Sequence, residues 1–313
     1  MLESYHAYSM HTYSLGFFLS IFVGYRIQSA LLQYYFYVLK VKATEGGDKK
    51  NGGDKNDGHD DRSASNWKIQ HTVGSLSGIF WGDPLFSSKP NRAPFHRYVT
   101  GFNLFMASTF ACLTSELAIR GSCFSKLRFV MPHIYNCDVT ELHSIDNLAQ
   151  YINALLVGLV KSSCCAYNTE MTMFLLRVLG ELIGIVLWQS VVEYYWHLMM
   201  HHSFFYTRFH KWHHFYKAPE PWDDLYIHPL EAFGYYCILY SPAVLFPVHV
   251  LSFLAYMVIM GLAGVADHSG IILTVYPLYN SVDHDNHHKH FNVNYGFPFP
   301  FMDILMNTYY AQK

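Results

Sequence analysis

The sequence predicts an all-α integral membrane protein with about four transmembrane helices and a histidine-rich cytosolic cap. Three observations carry this expectation. Charged residues are only 14% of the 313, about half the share that a soluble surface carries. Apolar residues are 51% and aromatic residues 18%, and they gather in runs of the roughly 20 residues needed to cross a bilayer. Histidine reaches 20, nearly as many as the 21 Lys and Arg together, and thirteen of the twenty lie between residues 197 and 290. A net charge of -2 excludes a nucleic-acid binder driven by charge, and the apolar content excludes a disordered chain or a coiled coil.

Each span follows from its composition. The first runs from about Tyr13 to Leu39, interrupted by Arg26 and Gln28, with Tyr34, Tyr35, Phe36 and Tyr37 as interface anchors. Its flank lacks the basic head of a cleavable signal peptide, so it reads as a retained span. The second runs from Val99 to Ile119, with Glu116 at headgroup level, and the third from Met173 to Trp196. The last apolar region, Phe233 to Gly264, holds Pro242 and Pro247 and reads as a helical hairpin. The third and last regions flank the first histidine cluster. Ile152–Val160 is too short to cross and reads as an interfacial or buried helix. The Gly-, Asp-, Lys- and Asn-rich insert Thr44–Lys68 cannot bury anything and reads as a disordered loop without chemistry, His59 included.

Three regions result: 1–98, a transmembrane helix and polar loop; 99–172, the second span and a linker; and 173–313, a catalytic domain. Residues 40–98 hold ten Lys or Arg, residues 1–13 none and residues 120–173 four. The positive-inside rule places 40–98 in the cytosol, and with it 197–231 and the tail from Asp267. The six cysteines, Cys112, Cys123, Cys137, Cys164, Cys165 and Cys237, form no CxxC pair. No disulfide framework is implied, and Cys112 and Cys237 read as buried free thiols.

The chemistry lies in histidine spacing. In EYYWHLMMHH, His197 and His201 share one helical face, with Glu193 one turn earlier. HKWHH places His210, His213 and His214 at i, i+3 and i+4, and HDNHH repeats this at His284, His287 and His288. His268 follows the hairpin. These are nine nitrogen donors, too many for one four-coordinate zinc and suited to a pair of metals. Attack on an unactivated C–H bond of a lipid requires a redox metal that activates oxygen, which iron does and zinc does not.

With these clusters, the chain resembles the fatty acid hydroxylase/sterol desaturase superfamily of membrane di-iron oxygenases over residues 173–309. The resemblance rests on WHLMMHH at 196–202, HKWHHFYKAP at 210–219, HPLE at 228–231, DHSG at 267–270 and HDNHHKHFNVNYGFPFPFMDILMNTY at 284–309. In wording these pieces are most similar to the methylsterol monooxygenase branch. The resemblance implies a four-helix membrane core under a cytosolic cap holding two iron ions. It also implies an endoplasmic-reticulum location, O2 as co-substrate, and electrons from NAD(P)H through cytochrome b5 or its reductase. The implied substrate is a sterol or other lipid, with C-4 methylsterol oxidation favoured. The implied metal ligands are His197, His201, His210, His213, His214, His268, His284, His287 and His288. His228, His202, His290, Glu193 and Glu231 are further ligands or hydrogen-bond partners of ligands. Three departures stand out: Leu198 replaces an Arg common after the first motif histidine, Asn307–Thr308 replaces Gly-Thr, and Gly264 replaces a histidine found in some relatives.

Other roles follow from environment. Asp267, Asp283, Asp285 and Asp303 are candidates to orient ligand imidazoles. Trp196, Trp212 and Trp222 read as interface anchors, and Asn292, Asn294 and Gly296 as the frame of a turn. His6, His11, His71, His96, His133, His143 and His249 have no cluster partner and read as ordinary. The alternatives are a desaturase of the same superfamily, a zinc-dependent membrane hydrolase, and a non-catalytic metal transporter or metal-binding protein.

Overall fold

The computed structural model describes residues 12–35, 95–122, 126–128, 169–217 and 219–311. The expectations for the 44–68 insert, for Ile152–Val160, for His6, His11, His71, His133 and His143, and for Cys123, Cys137, Cys164 and Cys165 lie outside the described residues.

The chain is helical. In order it forms α1 (Thr12–Leu32), α2 (His96–Ile119), α3 (Thr169–Met200) and a short α4 (Ser203–Phe205). A π-helical turn (Tyr206–His210) and a 3-10 turn (His213–Phe215) follow. Then come α5 (Pro229–Leu245), α6 (Val250–Asp267), the two-residue strands β1 (Thr274–Val275) and β2 (Tyr279–Asn280), α7 (Ser281–His290) and α8 (Phe301–Met306). Among the described residues, four stretches are long and apolar enough to cross a bilayer: Ser14–Tyr35, His96–Ile119, Thr172–Met200 and Val250–Asp267. The protein is therefore multi-pass. The expected hairpin is α5 and α6, broken at 246–249 around Pro247, with Pro242 tolerated in the penultimate turn of α5. At 17 residues, α5 falls short of a full crossing.

Contacts divide the chain into two compact units. One holds 1–21, 107–189 and 236–259; the other holds 22–106, 190–235 and 260–313. In the first, sparse polar groups tie apolar helices together, the usual device where lipid removes the hydrophobic drive for association. Ser14 donates to Glu116 (2.7 Å), and Tyr256 donates to Gln189 Oε1 (2.8 Å) and to the Leu239 carbonyl (3.0 Å). Glu181 of α3 pairs with Arg128 and Arg177 and accepts from the His249 backbone N–H (2.7 Å) and Ser252 (3.3 Å), pinning the start of α6. Cys112 is buried as expected and forms no disulfide among the described residues; Cys237 instead lies on an outward face of α5 and is exposed.

The second unit holds the nine clustered histidines. Helix α3 spans 32 residues, about 48 Å at 1.5 Å per residue, while the hydrocarbon is only about 30 Å thick. Part of it therefore extends beyond the lipid, and His197 lies in its last turn. Between α4 and α5 the chain runs as an irregular strap. The first turns of α2 hold it: Asn103 Nδ2 donates to the Leu225 and Ile227 carbonyls (3.0 and 2.8 Å), and His96 pairs with Asp223 (2.8 Å) while stacking on Tyr226. His96, expected to be ordinary, is thus a buried anchor of the strap. Trp222, expected at an interface, is buried beside Tyr25.

Candidate metal centre

Four segments deliver the imidazoles. Helix α3 presents His197, and the turn that closes it presents His201 four residues later. The irregular turns after α4 present His210, His213 and His214. Helix α7 presents His284, His287 and His288; it starts at Asn280, whose side chain accepts from the Val282 N–H, and carries Asp283 in its first turn, where the helix dipole favours an acid. His268 follows the end of α6.

All nine meet in two groups: His197, His201, His210, His214 and His287 in one, and His213, His268, His284 and His288 in the other, with the ligand atoms of each within 4.8 Å of one another. Neither HxxHH cluster stays whole. His210 and His214 enter the first group while His213 crosses to the second; His284 and His288 enter the second while His287 crosses to the first. All are buried except His201 and His213, which are half-buried.

Hydrogen bonds to the outer nitrogens set the ring orientations. His197 Nδ1 meets the Tyr295 carbonyl (2.9 Å), His287 Nδ1 that of Val293 (2.7 Å), His288 Nδ1 that of Tyr216 (3.0 Å) and His268 Nδ1 that of Gly264 (2.9 Å). A carbonyl only accepts, so each Nδ1 carries the proton, and each neutral ring turns a bare Nε2 lone pair inward. His210 Nδ1 faces Glu231 Oε1 at 2.5 Å, and His268 Nδ1 also faces Asp224 at 3.2 Å.

The inward nitrogens crowd together. His201, His210 and His214 have Nε2 atoms 3.1 Å apart pairwise, and His287 Nε2 lies 3.2 Å from His201 and 3.1 Å from His214. In the second group the separations are 3.3 Å (His213–His268), 2.9 Å (His268–His284) and 3.1 Å (His284–His288). One N–H cannot serve three neighbours at once, so these are not a set of hydrogen bonds. They match the edges of a coordination shell. At a metal–nitrogen bond of about 2.1 Å, ligands at right angles lie about 3.0 Å apart and tetrahedral ligands about 3.4 Å. Among the described residues the buried His197 Nε2 has no hydrogen-bond partner, and it belongs to the five-donor group. The donors therefore fit two metals with near-right-angle ligands.

Electrostatics agree. Burial, then the neighbouring His197, pushes His201 down to about 3, and burial with mutual repulsion holds His210, His213, His214, His284, His287 and His288 well below the usual imidazole range. Such rings stay neutral and ready to bind a cation. His268 differs: burial acts against its protonation, but the hydrogen bond and charge of Asp224 outweigh it and raise its pKa.

The additional candidates separate. Glu231 holds His210, while Glu193 is buried one turn before His197 and lies outside both groups. His228, His202 and His290 also lie outside them. His228 Nδ1 accepts from the Leu230 N–H (3.2 Å) at the start of α5, and its ring packs on Phe209 and Trp212. His202 caps α4 by accepting from the Phe204 N–H, and His290 is exposed against Tyr310. A helix start makes use of the side-chain acceptors of His228 and His202, which is why neither turns toward the centre.

The acids near the clusters also have other tasks. Asp303 accepts from the Tyr295 and Gly296 N–H groups (2.8 and 2.6 Å) and from Thr308 (2.7 Å), fixing the loop whose Tyr295 carbonyl orients His197. A Cβ at Gly296 would lie 2.6 Å from Asp303 Oδ2, so glycine is needed there. Asn294, the other frame residue, bonds the Asp283 and Tyr310 backbones. Asn307 adopts the left-handed conformation (φ 60, ψ 36), which Asn tolerates better than other side chains do. The departure from Gly-Thr therefore leaves the helix end intact. The sequence reading missed Asp224 and the His96–Asp223 pair; the signal was two adjacent acids, Asp223 and Asp224, a few residues before HPLE.

Comparison with known proteins agrees with the geometry. Residues 182–308 match the fatty acid hydroxylase family model. A Delta(7)-sterol 5(6)-desaturase of Gibberella zeae is 34% identical over 117 residues, covering 37% of this chain and 34% of that protein. A Delta(7)-sterol 5(6)-desaturase of Schizosaccharomyces pombe is 24% identical over 216 residues, covering 68% of this chain and 72% of that protein. A very-long-chain aldehyde decarbonylase of Oryza sativa is 32% identical over 151 residues, covering 42% of this chain and 24% of that protein. The match thus spans about a third of the first protein and about a quarter of the last. No solved structure matches the chain. The segment that matches the fatty acid hydroxylase family model, 182–308, contains all nine histidines of the two groups.

Proposed function

We propose that the protein is a non-haem di-iron membrane oxidoreductase that uses O2 to oxidise a sterol or related lipid. The observation that carries this reading is the pair of groups of neutral imidazoles with Nε2 atoms at coordination-edge spacing. His197, His201, His210, His214 and His287 would hold one iron, and His213, His268, His284 and His288 the other. Bound there, iron supplies oxygen activation strong enough to attack an unactivated C–H bond. The chain's own residues do the rest. The Tyr295, Val293, Tyr216 and Gly264 carbonyls keep the proton on Nδ1 of His197, His287, His288 and His268, so that Nε2 remains a donor. Glu231 holds the outer nitrogen of His210 and so orients that ring, while Asp224 lends charge to His268, which raises its basicity. Burial of the rings keeps water from the reacting centre.

In this reading the clusters face the cytosol from the endoplasmic-reticulum membrane, and electrons arrive from NAD(P)H through cytochrome b5 or its reductase. The motif wording favours C-4 methylsterol oxidation. A second reading, desaturation of a sterol ring, is favoured by the two relatives named Delta(7)-sterol 5(6)-desaturases. One ligand set serves both outcomes, and a small displacement of substrate relative to the metals decides between them. The test is the purified protein in vesicles with NADPH, cytochrome b5 and its reductase, given 4-methylsterols and Δ7-sterols. A gain of one oxygen supports hydroxylation, and a loss of two hydrogens supports desaturation. Turnover without oxygen would overturn both in favour of a zinc hydrolase.

A further inference from the structure

The span α6 ends at Asp267, and the chain then runs from residue 268 to residue 282 without a single Asp, Glu, Lys or Arg. Within that run lies the hairpin of β1 and β2, paired Thr274 to Asn280 and Val275 to Tyr279. Its apolar side chains point outward: Tyr276 is 91% exposed, Val275 61% and Leu278 58%, with Ile272 also exposed. Three large apolar groups on a seven-residue tip are costly to hold in water. The hairpin is also stiff. Tyr279 donates to Asp267 Oδ1 (2.5 Å), and Ser281 closes the base through the Ile271 and Leu273 backbones (2.6 to 3.0 Å).

We propose that this hairpin is an interfacial foot that inserts Val275, Tyr276 and Leu278 into the headgroup–acyl boundary of the bilayer that α6 crosses. Three observations select lipid as the occupant. The hairpin follows directly from a lipid-crossing helix that itself leaves Leu262 exposed. The segment carries no charge to desolvate. Its most exposed residue is a tyrosine, whose apolar ring and polar tip suit that boundary. The depth is bounded as well. A sheet of only two strands has open edges, which hydrocarbon does not tolerate, so the foot stops at headgroup depth. Since Tyr279 bonds the residue before His268, and Ser281 opens the helix bearing His284, the foot ties the height of both ligands to the membrane surface. The inference rests on the membrane spans and not on the iron reading, so either can fail alone.

The test replaces Tyr276 with the photo-crosslinker p-benzoylphenylalanine in the full chain, reconstituted in phosphatidylcholine vesicles, and repeats this separately at Leu278. Both side chains are exposed, so neither substitution disturbs packing, and an unchanged melting temperature verifies folding. After irradiation, mass spectrometry of the peptide containing the label is expected to show a phosphatidylcholine adduct as the main product at both positions. The adduct at 276 should fall at least fivefold when Val275→Asp and Leu278→Asp are added. A crosslink to another protein segment or to a second copy, or recovery of only the unreacted or reduced ketone, would overturn the proposal.

Discussion

The two histidine groups share the HKWHH turns and α7, but His197 and His201 complete the first whereas His268, after α6, completes the second, and the two are supported differently. The five-donor group takes an i, i+4 pair from α3 and the turn that closes it, an i, i+4 pair from HKWHH and a single crossing ring, His287, from α7. The four-donor group inverts the exchange: its i, i+4 pair comes from α7, and its crossing ring, His213, from HKWHH. The first leans on Glu231, in the opening turn of α5; the second leans on Asp224, in the strap held by α2. The lesson is that a HxxHH cluster is a bridge. Its i, i+4 pair serves one metal, and the residue between them reaches the other.

The largest effect should come from removing a hub. His201 neighbours three other Nε2 atoms, so His201→Ala should abolish the first metal while the second group, which shares no ring with it, still binds. Metal analysis should fall from two ions per chain to about one, and oxygen-dependent turnover should drop below detection. His268→Ala should do the converse. Loss of both metals from either variant would mean the groups are one site.

Removing an orienting carboxylate should cost less. Glu231→Gln should weaken the first metal, and Asp224→Asn the second, by about 10–100-fold each, measured by chelator competition. Equal weakening of both metals by either change would contradict the separate supports.

Much of this was legible in the sequence, and the reasons are local. Helical spacing put His197 beside His201 and His284 beside His288, and apolar runs marked the four spans. The splitting of HKWHH was not legible, because the segment folds as π and 3-10 turns rather than one regular helix. Nor were the carbonyls of Tyr295, Val293 and Tyr216, since every residue has one and only tertiary structure chooses among them. His96 lies 127 residues from its partner Asp223 and carried no pattern at all.

Acidification should release metal and loosen the cap. The ligand rings other than His268 bind protons poorly when folded, whereas unfolded histidines protonate near 6.5. The unfolded chain therefore gains protons as pH falls below about 6.5, and stability is lost downward through that range. Metal retained after dialysis at pH 7.5 and at pH 5.5 measures this; retention at both, with unchanged melting, would contradict it.

The strap anchor is a subtler support of the four-donor side. His96→Ala leaves Asp223 buried and short of a partner, at a cost of about 1–3 kcal/mol. It should lower thermal stability and disturb the second metal more than the first, as read by chelator competition. Smallest of all, His228→Ala should cost about 1 kcal/mol through lost capping of α5 and leave metal content unchanged. A lost metal would restore His228 as a ligand.

The central claim is a dinuclear nitrogen-ligated centre. Its most direct test is the metal content of the full chain purified from iron-supplied cells, read by mass spectrometry with X-ray absorption at the iron edge. Two irons per chain, each surrounded by nitrogen donors, is the predicted result. One metal per chain, or a tetrahedral zinc ion bound in preference to supplied iron, would contradict it.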